Sequence, residues 1–146
     1  MATRSAIGIK HGTRIKAVYC HYDGYLEHVG RALHIHYQDS IKVNKLIAMG
    51  DMSGIGAEIG EKHVFNERSE YLPDGIATEC TFYNRDRGEE DVGYRSFASE
   101  AEFIDYYNGC GCEFYYLYDH GVWYYSAGRE FSPLHESSKV KELVNA

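Results

Sequence analysis

Tyr19-Cys20-His21-Tyr22-Asp23-Gly24-Tyr25-Leu26-Glu27-His28 is the stretch on which the reading of this chain turns. Upstream of it, Ile15, Ala17 and Tyr19 alternate along Arg14 to Cys20, the period of a strand. Downstream, Leu26, Val29, Leu33 and Tyr37 recur at spacings of three and four, which predicts a helix over about 25–37. Asp23-Gly24 supplies the turn between the two. A strand that bends directly into a helix gives an α+β reading. It also gathers two histidines, two acids, a cysteine and three tyrosines at the junction.

Working outward, Ser5 to Ile9 and Arg14 to Cys20 read as a hairpin around His11-Gly12-Thr13. Gly30 sits on the apolar helix face, at a cost of about 1 kcal/mol relative to Ala, and marks close backbone packing. Asp39 or Ser40 caps a second helix from Ile41 to Met49, with Ile41, Leu46 and Ile47 apolar and Gly50 as its stop. The run from Gly50 to Gly60 holds four glycines but lacks the Gly-Lys-Ser/Thr ending of a phosphate loop, so it reads as a flexible connector. Leu72-Pro73-Asp74-Gly75 is a turn signal, and Ile76 to Tyr83 reads as a third strand.

The charged run Asn84 to Asp91 reads as an exposed loop, followed by a short strand near Tyr94 to Phe97. Ser99 and Glu102 form a capping box that starts a helix presenting Phe103, Ile104 and Tyr107 and stopping at Gly109. Glu113 to Tyr118 and Val122 to Ser126 flank Asp119-His120-Gly121 as a second hairpin. A last helix is expected over Ser137 to Val144, with an apolar edge of Val140, Leu143 and Val144, either frayed or docked on a partner. Together these elements predict a single α+β domain over 1–146. Its sheet is mainly antiparallel, built from two hairpins plus a central strand, with the helices packed on one face.

Composition narrows the function. Twenty-two acids against 15 Lys and Arg give a net charge of −7, which argues against binding long nucleic acid or anionic membrane. No apolar segment approaches the roughly 18 residues of a membrane span, and no signal-peptide core is present at the start. A cytoplasmic location is therefore expected, with Cys20, Cys80, Cys110 and Cys112 reduced. Fourteen tyrosines exceed what the other aromatics suggest, and they suit half-buried sheet faces or a binding surface.

Three chemistries compete at the polar cluster. For catalysis, the candidates are His21, Asp23 and His28, with Cys20 or Ser53 as a nucleophile. The structural alternative is that Asp23 caps the helix while His21 bonds to backbone. For metal, Cys20, His21, Asp23, His28 and the Cys110-x-Cys112 pair are competent ligand types. Their spacing matches no standard site, so neither metal nor cofactor is expected. For binding, Tyr22, Tyr25, Tyr116, Tyr118, Trp123 and Tyr124, with Arg85 and Arg87, can form an aromatic and cationic surface for a partner or a nucleotide-like ligand.

Ser5-Ala6-Ile7-Gly8, the run Tyr19 to Tyr25, Leu46 to Ser53, Tyr83 to Glu89 and Asp119 to Tyr124 carry a resemblance over most of the chain. In these segments the sequence resembles a family of small uncharacterised proteins of tailed bacteriophages, prophages and some bacteria, with the pattern S-x-I-G … Y-C-H-x-D-G-Y. The family has no settled activity, so no catalytic residue is carried over. What the resemblance implies is an accessory protein, in the cytoplasm of an infected bacterial host, that binds and modulates (by inhibition) a host protein or defence system. The absence of a recognisable catalytic set leans the same way. Two alternatives stand beside it: a nucleotide-like ligand-binding protein or hydrolase centred on His21, Asp23 and His28, and a minor virion component. Self-association into a homo-oligomer is compatible with each.

Overall fold

The computed structural model describes residues 2–65, 70–137 and 139–140. Strand β1 (Arg4–His11) lies at the centre, and Ser5 to Ile9 are buried without a break because neighbours flank it on both edges. β2 (Arg14–Cys20) returns antiparallel beside it, pairing Ser5 with Cys20 through His11 with Arg14. After the bend come a π-helical turn (Leu26–Gly30) and helix α1 (Arg31–His36), then α2 (Ser40–Ala48). Asp39 caps α2, its carboxylate accepting from Ile41 N at 3.0 Å.

The expected glycine-rich connector is instead structured. It carries β3 (Met52–Gly54) and β4 (Gly56–Glu58), which pair respectively with β2 and with β5 (Ala77–Glu79), both in parallel. The expected third strand is interrupted at Cys80. Its second half, β6 (Thr81–Phe82), is an edge strand on β3 rather than a central one. A one-turn helix α3 (Tyr83–Arg87) follows, where the sequence suggested an exposed loop. β7 (Arg95–Phe97) pairs with the first half of β2, and α4 (Glu100–Gly109) begins at the expected cap. There Ser99 Oγ accepts from Glu102 N at 3.1 Å, and the Glu102 carboxylate accepts from Ala98 N at 2.9 Å.

The second hairpin is β8 (Cys112–Asp119) and β9 (Val122–Ser126). His120 and Gly121 both have positive φ, as a two-residue turn matched to strand twist requires. β10 (Ser132–Pro133) closes that edge, with the strand order β10-β9-β8-β1-β2-β3-β6. The sheet is mixed but mainly antiparallel, and the α+β class expected from the sequence is observed; β1 meets β8 in parallel, which joins the two hairpins. Of the expected C-terminal helix, Val140 is buried in the core, while Ser138 and residues 141–146, including Leu143 and Val144, lie outside the described residues.

Helices cover both faces, not one. Ile7, Val18 and Cys20 face Leu33, Val43, Leu46 and Ile47 of α1 and α2, and Tyr116, Tyr118 and Trp123 complete that layer. The alternate residues Ala6, Ile15, Ala17, Tyr115 and Leu117 face Phe103, Ile104 and Tyr107 of α4. β1 is buried on both sides, and each face is covered by its own helical layer. Ile41, expected on the apolar edge of α2, is 65% exposed, and Val43 takes the inward position. Among the described residues, no helix is long and apolar enough to cross a membrane.

Candidate functional site at the strand-to-helix bend

The bend is held by backbone more than by side chains. Asp23 adopts φ +58°, a left-handed conformation that Asp tolerates better than most residues. Gly24 N donates to Thr3 O at 2.8 Å, and Val29 N donates to the Asp23 carbonyl at 3.2 Å. Asp23 therefore organises the helix start, but through its carbonyl; its carboxylate accepts from the Tyr25 hydroxyl at 3.4 Å and caps nothing. Gly24 is buried so tightly that a Cβ there would lie 2.7 Å from Ser5 Cβ and 2.9 Å from Thr3 O. The Tyr116 hydroxyl donates to Gly24 O at 2.7 Å, pinning the bend to the sheet from below.

His21 N donates to Met52 O at 3.1 Å, tying the end of β2 to β3. Its ring pairs with a side chain, Nδ1 lying 2.7 Å from the Tyr19 hydroxyl, two residues back on the same face. Partial burial and the nearby Arg4 guanidinium lower its pKa, so the imidazole is neutral at pH 7. Burial also lowers the pKa of His28; Asp23 and Asp74 work against that, and Arg31 works with it. Among the described residues, no hydrogen bond joins His21, Asp23 and His28. His21 associates with Tyr19 and Arg4, and His28 with the charges of Asp23, Arg31 and Asp74. Nor do three or more His, Cys, Asp or Glu side chains converge to hold a metal among those residues. Cys20 is fully buried, its thiol 3.6 Å from Tyr22 O.

The aromatic surface divides into buried and exposed parts. Tyr116, Tyr118 and Trp123 are core residues, and their polar atoms donate to the carbonyls of Gly24, Gln38 and Tyr37 at 2.7, 2.8 and 2.8 Å. They are closed to a ligand because a central sheet between two layers of helix buries both faces. Tyr124 is half-buried on β9, opposite Leu117 and Pro133. Tyr22 and Tyr25, on either side of the bend, are 51% and 38% exposed. Tyr22 N donates to Ser53 O at 3.0 Å, and the His21 and Tyr22 rings meet edge-on at 4.5 Å.

Beside Tyr22 lies a group that sequence spacing concealed. Phe65 and Tyr83 stack with centroids 5.6 Å apart, and Arg87 packs on both rings at 4.5 and 4.9 Å while pairing with Glu89. Tyr22 and Tyr83 are close enough that the ionisation of one would oppose that of the other. Arg85 is not available to a partner. Its guanidinium donates to Asp86 and to the carbonyls of Ile59, Gly60 and Cys80, all between 2.9 and 3.2 Å. The rim thus consists of exposed Tyr22, Tyr25 and Arg87 with half-buried Tyr83, beyond the ends of β2 and β6.

Asp51, also missed because it sits in the glycine-rich run, supports this rim. Its carboxylate accepts from Tyr19 N at 2.9 Å, its N–H donates to Val92 O at 2.7 Å and its carbonyl accepts from Tyr83 N at 3.2 Å. Burial pushes its pKa up to about 6, against the Tyr19 N–H and Arg95, which lower it, and with Glu89, which raises it. A carboxyl whose folded pKa is raised contributes its full stability below the unfolded value. That contribution is then lost as pH rises through the folded value, here between about 4 and 6. Asp51→Asn keeps the acceptor for Tyr19 N–H without the charge. It should stabilise the fold by about 1–2 kcal/mol at pH 7–8, after allowance for solvent screening. Urea unfolding at several pH values should show the gain shrinking to nothing by pH 4.

Comparison with protein-family models, curated proteins and solved structures finds no match to this chain.

Proposed function

We propose that this protein binds and modulates, most simply by inhibition, a bacterial host protein, and that the rim of Tyr22, Tyr25, Tyr83 and Arg87 is its docking surface. The observation that carries this reading is the sorting of the aromatics. Tyr116, Tyr118 and Trp123 of the sheet are buried and hydrogen-bonded, while Tyr22 and Tyr25 flank a left-handed Asp and a buried Gly and are exposed. Exposed tyrosines on a rigid support suit an interface anchor, since little side-chain entropy is lost on binding. The resemblance to phage accessory proteins supports a host protein as the partner. The net charge of −7 favours a partner with a basic face.

Tyr22→Ala/Tyr25→Ala should keep the fold, because neither ring belongs to a core cluster, and should weaken binding at least about 30-fold. The test is capture from bacterial lysate with the wild type and the double variant, followed by reconstitution of the complex from purified components. Equal capture by both proteins, or no stoichiometric partner at any salt concentration, would count against the proposal. A second reading, a nucleotide-like ligand site or hydrolase at His21, draws on the Tyr19–His21 pair, a neutral imidazole already oriented by a hydroxyl. A nucleotide retained in native mass spectrometry, or turnover abolished by His21→Ala with the fold intact, would favour that reading over docking.

A further inference from the structure

The junction between α4 and β8 holds two thiols that the docking surface does not use. α4 ends at Gly109, and Cys110 follows as its cap, with φ −85° and ψ 0°. Gly111 then takes φ +85°, and Cys112 opens β8. Residues two apart lie at most about 7 Å apart at Cα. A left-handed residue between them turns the chain and brings that separation within the roughly 4.4–6.8 Å window of a disulfide. The backbone here also has slack. Arg4 pairs with Cys112 but Ser5 pairs with Phe114, so the parallel ladder slips by one residue at Glu113.

The surroundings favour one thiol as the entry point. Cys110 is half-exposed, while Cys112 is 4% exposed and buried against the α4 layer. Arg4 Nη1 donates to Cys110 O at 3.1 Å and lies 2.8 Å from where a Cβ on Gly111 would sit, so a cation is fixed at the turn between the two cysteines. Burial, and the nearness of Cys110, push the Cys112 thiol up to about 12, with Arg4 opposing, so Cys112 is the slower thiol. All four cysteines are free, but Cys20 and Cys80 are fully buried, and Cys80 is enclosed by the Tyr37 hydroxyl at 3.3 Å and Gly56 N at 3.2 Å.

We propose that Cys110 and Cys112 are a redox-responsive pair that closes to an intramolecular disulfide on meeting a low-molecular-weight disulfide. The Cys110 thiolate attacks one sulfur of that co-reactant and expels a thiolate, leaving a mixed disulfide on Cys110. Cys112 loses its proton and attacks the Cys110 sulfur, and the second thiolate leaves. The cysteines are oxidised by two electrons, and the co-reactant is reduced to two thiols, which take up the two protons. The second step is intramolecular, so a high effective concentration offsets the small thiolate fraction of Cys112. A ring spanning a single residue is strained and easily reduced, which makes the pair a switch rather than a structural staple.

The test treats the full chain with oxidised glutathione at mildly alkaline pH, blocks the remaining thiols and maps peptide masses. The expected result is loss of two hydrogen atoms from the segment holding both cysteines, reversed by dithiothreitol. Cys112→Ser should stop at a glutathione adduct on Cys110. Cys110→Ser, at the half-exposed position where a folding defect is least expected, should abolish both products. A wild-type segment that stays reduced, that accumulates a stable adduct, or that cross-links two chains would overturn the proposal.

Discussion

Asp86→Ala should remove about 3–5 kcal/mol of folding stability, enough to leave a marginal protein partly unfolded at room temperature. The Asp86 side chain is fully buried and joins its own turn to a segment 23 residues upstream. Oδ2 accepts from Phe82 N at 2.8 Å, Oδ1 accepts from His63 N at 3.1 Å, and Arg85 Nε donates to Oδ1 at 2.9 Å. Truncation leaves one buried and one part-buried N–H without an acceptor and a part-buried guanidinium without its counter-charge, each of them costly away from bulk water. Through Arg85 the same carboxylate anchors the carbonyls of Ile59, Gly60 and Cys80, so the segments after β4 and β5 should loosen together.

Burial alone would raise the pKa of Asp86. Arg85 and the N–H groups of Phe82 and His63 outweigh it, and the net shift is downward. A lowered folded pKa means the stabilisation is present at neutral pH and is lost as pH falls below the ordinary carboxylate range. Urea midpoints for the wild type and Asp86→Asn should therefore differ at pH 7 and converge in acid. A deficit below about 1 kcal/mol for Asp86→Ala would show that the network carries little.

The second large effect is at Gly50, where Ala should cost about 2–4 kcal/mol. Its φ of +86° is strained for any residue with a side chain, and a Cβ would lie 2.4 Å from Val92 O. That oxygen cannot withdraw cheaply, since it accepts the Asp51 N–H at 2.7 Å. The strain should reach Tyr19 and Tyr83 through Asp51, so the variant should lose partner binding as well as thermal stability. Gly54→Ala, in the same run but with nothing within 4 Å of a Cβ, is the control and should change neither.

These two residues show where reading the sequence succeeds and where it stops. The strand-bend-helix reading of Tyr19 to His28, both hairpins and the Ser99 and Asp39 caps rest on periods and local hydrogen bonds, so they were legible from neighbours in the chain. The Gly50–Gly60 run and the Asn84–Asp91 run were misread for one reason. Their order comes from partners far along the chain, such as Glu79 against Gly56 and Ile59 against Arg85, and composition carries no trace of them. The aromatic excess was visible, but not which members were exposed, because exposure depends on how many layers cover the sheet. Phe65, Tyr83 and Arg87 gave no joint signal at all, since only folding brings the first of them to the other two.

By itself the sequence determined the α+β class, the two hairpins and the bend at Asp23-Gly24, since each follows from the conformational preferences of neighbouring residues. Tertiary structure alone decided the parallel contact of β1 with β8, the second helical layer, and the burial of Tyr116, Tyr118 and Trp123. The physical reason is that these outcomes depend on which surfaces exclude water from one another. That is settled among segments distant in the chain, where local propensity has no influence.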